Sequence, residues 1–160
     1  MVGSDTQVTA AEYTSEFLPG YTDNNGDPQG KNDSNYTIYK LSHGINDFDR
    51  QRWPNLLLGN SDQQAPVFFD SQANAWKPLD FGDQTMYYIF TDSYPQSHQN
   101  QSGSTLPLMA DIKQLNWSFD EPATLGNIIY TQYVIINRSA LPWINTYFML
   151  WLDDDLGSIY

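Results

Sequence analysis

The sequence predicts an all-β protein, an antiparallel β-sandwich of jelly-roll or immunoglobulin-like kind, with at most one short helix. Three observations carry this. Short runs rich in β-branched and aromatic residues recur along the chain. Loops of Asn, Asp, Gly and Pro separate them. Only one stretch has a helical look, and strands spaced by turn-rich loops are the mark of a sandwich.

In chain order, "TQVTAAEYTSEF" reads as the first strand, broken by Pro19 and Gly20. "NGDPQGKNDSN" is a polar loop of turn formers. "YTIYKL" alternates, with Thr37, Tyr39 and Leu41 on one side. "NDFDRQRWPNLL" is the helical candidate, capped by Asn46 or Asp47 and ended by Pro54. "PVFF" and "TMYYIFTD" are short strands. In "PLMADIKQLNWSFD", Leu108, Ala110 and Ile112 keep one phase, whereas Leu115, Trp117 and Phe119 keep the other. That switch predicts a bulge near Lys113 and Gln114. "NIIYTQYVIIN" and "TYFMLWL" are apolar on both sides and read as central strands covered on both faces.

The composition bounds the function. At 160 residues and 40% hydrophobic, the chain can bury the core of one domain. Its formal charge of −12 repels phosphate backbones, so nucleic acid and anionic membranes are poor partners. No apolar run approaches the ~20 residues of a membrane-spanning helix, so no membrane insertion is expected. The absence of cysteine excludes disulfides, thiolate metal sites and cysteine nucleophiles. The opening "MVGSDTQVTA" does not read as a signal peptide, which leaves a cytosolic chain or a piece of a longer secreted one.

Two acidic clusters are candidates for calcium. In "LWLDDDLG", Asp153 and Asp155 point to one side, ~7 Å apart along an extended chain. Crowded carboxylates are relieved by an oxygen-seeking cation, and Gly157 permits a tight turn around it. In "TDNNGD", Asp23, Asn25 and Asp27 alternate around Gly26, as at the start of a calcium loop, but the later glutamate of an EF-hand is missing. The ordinary readings are a solvated strand end and a plain turn. Aromatic rings beside loops, Trp53, Trp76 and Tyr94, are candidates for stacking on glycans, while Trp117, Trp143 and Trp151 read as core. The N-x-S/T sequons at Asn32, Asn35, Asn100, Asn116 and Asn137 matter only in a source that glycosylates. No nucleophile elbow, zincin helix or P-loop is written in the chain, and His43 and His98 sit in polar contexts. A glycosidase carboxylate pair is set by the fold and leaves no mark in sequence. The chain is therefore read as non-enzymatic.

Taken in order, "EYTSEFLPG", "NYTIYKL", "NDFDRQRWP", "QAPVFFD", "FGDQTMYYIFTD", "GSTLPLMADIKQLNWSF", "LGNIIYTQYVIIN" and "LWLDDDLG" resemble an uncharacterised β-rich module. That module belongs to large secreted proteins of Bacteroidetes-like bacteria, often ones with a C-terminal type IX sorting domain. The resemblance implies that residues 1–160 are a single β-sandwich module from a longer secreted chain, extracellular or at the cell surface. It implies further acidic ligands beyond Tyr160, and no activity. The resulting expectation is a structural or adhesive module that self-associates or joins neighbouring modules through strand edges, in a surface layer or filament. The rival is a carbohydrate-binding module of a polysaccharide-degrading protein.

Overall fold

A computed structural model describes residues 7–9, 16–45, 48–54, 64–94, 105–121 and 124–150. The described chain is all-β and antiparallel. Its strands are β1 (Leu18–Pro19), β2 (Tyr21–Thr22), β3 (Pro28–Gln29), β4 (Tyr39–Ser42), β5 (Val67–Asp70), β6 (Ala75–Pro78), β7 (Gln84–Thr91), β8 (Ala110–Ser118) and β9 (Ile129–Asn137). The α-helix among the described residues is α1 (Phe48–Arg52), with a 3-10 turn at Thr124–Asn127. One five-stranded sheet runs β1-β7-β8-β9, with β4 also on β7, and β2–β3 and β5–β6 form two-stranded ribbons.

The register explains where the core lies. Tyr39 pairs with Tyr87 and Tyr87 with Leu115, so their side chains share one face of the sheet, and Leu41, Thr85 and Trp117 share it too. On that face Tyr39, Leu41, Trp53, Ala65, Tyr87 and Leu115 form the buried core, with Val67, Phe81 and Trp117 against it. The β5–β6 ribbon thus leans on the sheet through Val67 in a sandwich-like second layer. Helix α1 is placed by charge rather than by apolar burial. Arg50 donates to both oxygens of Asp80 at 3.1 Å and to the Ser42 carbonyl at 3.0 Å. Trp53, just after the helix, donates its indole N–H to the Pro66 carbonyl at 2.9 Å.

Several expectations need correction. The bulge near Lys113 and Gln114 is not formed. Pairing runs without interruption from Gln84↔Ser118 to Thr91↔Asp111 and from Ala110↔Asn137 to Ser118↔Ile129. The phase switch has another cause: the two ends of β8 are covered on opposite faces. Leu115 and Trp117 face the main core. Ala110 and Ile112 share the other face with Phe90, which meets Phe17 edge-on at 5.4 Å. The first strand expected over residues 6–17 is irregular at its described positions, and regular pairing starts at Leu18. "NIIYTQYVIIN" forms a strand, but among the described residues it is the sheet's edge and not its centre. Residues 146–150 of "TYFMLWL" lie in no strand and are exposed, and Trp143 is half-buried rather than core. Asn46 and Asp47, the expected caps, lie outside the described residues.

Candidate functional site

Strand β9 has nine residues, and β8 holds one side of it along its whole length. No strand among the described residues pairs with the other side. Its side chains are apolar on both faces. Tyr130, Val134 and Ile136 continue the main-core face; Ile129, Tyr133 and Ile135 continue the opposite one. Ile129 is 76% exposed, and Tyr133 and Val134 are exposed as well. A depression of about 240 Å³ borders this edge, lined by Gln64, Pro66, Tyr87, Lys113, Leu115, Gln132 and Val134. Natural edge strands are blunted by charge, proline, bulges or brevity. β9 has no charged residue, no proline and no break in register.

The charge distribution sharpens the point. Nineteen acidic residues are spread over the chain, yet residues 122–150 contain none, and their one charge is Arg138. This surface is therefore spared the repulsion that a −12 molecule presents elsewhere. The acid-free stretch is visible in the sequence, and it is the signal that could have marked β9 as an interface.

Arg138 fixes how the chain leaves β9. Its Nε donates to Asp111 Oδ2 at 2.8 Å, and its backbone N–H donates to the Met109 carbonyl at 2.8 Å. Asp111 is wholly buried. Its Oδ1 accepts the Thr22 N–H at 2.9 Å and the Thr22 hydroxyl at 3.0 Å. Thr22 Oγ1 lies 2.6 Å from Ser93 Oγ and 3.2 Å from Thr91 Oγ1. Nearby, buried Asp92 accepts the N–H groups of Leu108 and Ala110 at 2.8 and 2.6 Å. These polar groups are buried because each is bonded, and removing one would strand its neighbours. The network binds β2, β7, β8 and the end of β9 together. Its hydroxyls and carboxylates are spent on one another and on backbone N–H groups, which is how a structural network is built.

The three predicted glycan rings are not brought together. Trp53 is 2% exposed and packs against Tyr39 and Tyr87, so it is core and not a sugar platform. Its position after a helix and before Pro54 reads as a loop, but its ring packs onto the sheet. Tyr94 is half-buried, and its hydroxyl accepts the Lys31 N–H at 3.0 Å. Burial raises its pKa above the ordinary tyrosine value. Trp76 is 51% exposed on β6, opposite Phe69 on β5, which is 49% exposed. Their rings meet edge-on at 5.4 Å and form a corner rather than a flat floor. Sequence reasoning missed Phe69 because β6 itself was not expected. The turn that makes the ribbon carries its own signal: Asp70 Oδ1 accepts the N–H groups of Gln72 and Ala73, and Asn74 takes φ 49°, a conformation Asn tolerates.

The Asp23 loop is a turn held by its own backbone. Asp23 Oδ1 accepts the N–H groups of Asn25 and Asp27 at 2.8 and 3.0 Å, and Oδ2 accepts from Gln29 at 3.2 Å. The N–H of Asp27, first among these donors, holds the Asp23 carboxyl below its ordinary pKa. A cation would have to displace those donors. Among the described residues no group of three or more His, Asp or Glu side chains is disposed to hold a metal. Asp153 and Asp155 lie outside the described residues.

No protein family, no curated protein and no solved structure matches this chain.

Proposed function

We propose that the chain is a non-catalytic structural or adhesive module of the cell surface or extracellular space that assembles through its open strand edge, in a layer or filament. The observation that carries this reading is β9: nine uncharged residues, apolar on both faces and paired on one side. No strand among the described residues takes up its outer side, and a strand edge with apolar side chains on both faces is the ground on which strand addition is built. The buried hydroxyl and carboxylate groups, bonded to one another, support the non-catalytic part. The test is sedimentation velocity of the chain over a wide concentration range. Self-association should appear at micromolar concentration, and Val134→Lys, which places a charge on the edge, should weaken it at least about tenfold. A monomer at every concentration would overturn the reading.

One observation favours a second reading, a carbohydrate-binding module. The exposed Phe69–Trp76 corner offers apolar ring faces of the kind that stack on sugars, beside the Asp70–Lys77 ion pair on the ribbon's other face. Retention on a glycan array, lost in Trp76→Ala, is the corresponding test.

A further inference from the structure

Residues 146–150, Thr-Tyr-Phe-Met-Leu, have the composition of a strand but lie in none. Tyr147 is 90% exposed and Met149 88%, with Phe148 and Leu150 exposed beside them. Extended, the segment would place Thr146, Phe148 and Leu150 on one side and Tyr147 and Met149 on the other. Both sides would then be apolar, as both sides of β9 are. Among the described residues the molecule thus carries a sheet edge with no partner strand and a strand-like segment outside any sheet, and the two match in polarity.

Among the described residues the segment does not join β9 within one molecule. Arg138 is tied to Met109 and Asp111, and the Trp143 indole N–H donates to the Leu108 carbonyl at 3.1 Å. Asn137 and Ser139 close a local turn on the Leu141 carbonyl at 2.9 and 2.7 Å. These bonds hold Arg138 and Trp143 against the residues that lead into β8. We propose that residues 146–150 of one copy add as a strand to β9, the outermost described strand, in a second copy. This rests on the assembly reading above and names its partner.

Charge and area both favour a second copy. Donor and acceptor lie in the acid-free stretch of residues 122–150, where two molecules of charge −12 meet with least repulsion. Four exposed apolar side chains, at roughly 150–250 Å² for each aromatic ring, present on the order of 600 Å². With a matching area on the acceptor, one exchange buries about 1,200 Å², the lower end of specific interfaces. Exchange in both directions closes a dimer; exchange in one direction grows a filament.

The experiment uses two variants and their mixture. Met149→Pro removes the donor strand's N–H and sits on an exposed segment, so its melting temperature should equal that of the wild type. Val134→Lys blocks the acceptor edge. Each alone should weaken self-association at least about tenfold, and mixing them should restore heterodimers, since one keeps the edge and the other keeps the strand. A labelled peptide of residues 145–150 flanked by lysines should bind Met149→Pro protein but not Val134→Lys protein. If Met149→Pro assembles as the wild type does, or if the peptide does not bind, this inference falls and the assembly reading stands. If the wild type is monomeric throughout, both fall.

Discussion

Single residues set limits that the sequence alone shows only in outline. Gly20 has φ 127°, and a Cβ there would collide with the Gln29 carbonyl oxygen, at the base of the β2–β3 ribbon. Gly20→Ala should therefore destabilise by more than about 2 kcal/mol in urea titration, well above an ordinary surface substitution. Trp53→Ala removes the largest core side chain and should cost about 3–5 kcal/mol, whereas Trp76→Ala should cost about 0.5 kcal/mol or less. Asp70 gives a pH prediction. The Lys77 ammonium, then the Ala73 N–H, hold its carboxyl below the ordinary aspartate value. A depressed folded pKa contributes stability that is complete above the unfolded value, about 3.9, and is lost as the pH falls through the lower folded value. Carboxyl titration by NMR should place the Asp70 midpoint below that of a model aspartate, and Lys77→Met should raise it. An unmoved midpoint would show that the ion pair contributes nothing.

At the scale of elements, β8 teaches how to read a phase switch. An apolar pattern that changes face can mean an inserted residue, but it can also mean a regular strand whose ends serve two different cores. Here Leu115 and Trp117 serve one, and Ala110 and Ile112 the other. β9 teaches a similar lesson. A strand apolar on both faces suits the middle of a sheet, yet it also suits an edge meant to be covered. For the β5–β6 ribbon, the prediction is that Phe69→Ala and Trp76→Ala each reduce glycan retention with unchanged melting. Retention unaffected by either would return the corner to the role of ribbon packing.

For the whole molecule, charge governs the conditions of assembly. Two copies at −12 repel over distances set by the Debye length, ~10 Å at 0.1 M salt. Contact through an uncharged, apolar edge gains from burial and loses from that residual repulsion. Raising salt from low to physiological ionic strength should therefore strengthen self-association, as measured by sedimentation equilibrium. Weakening with salt would mean that ion pairs hold the copies together, which the acid-free stretch of residues 122–150 argues against.

The sequence by itself determined the all-β class, the cysteine-free and acidic character, strands β5, β7, β8 and β9 within a few residues, and the alternation of "YTIYKL". These follow from local chemistry: alternation, β-branching and turn residues act over a few positions. It also contained, unread, the acid-free stretch that marks the candidate interface. Tertiary structure alone decided what depends on neighbours distant in the chain. It buried Trp53 against Tyr39 and Tyr87, paired Trp76 with Phe69, and bonded Asp111 to Thr22 and Arg138. Among the described residues it also set β9 at the edge of the sheet, because strand order follows from long-range pairing that periodicity does not encode.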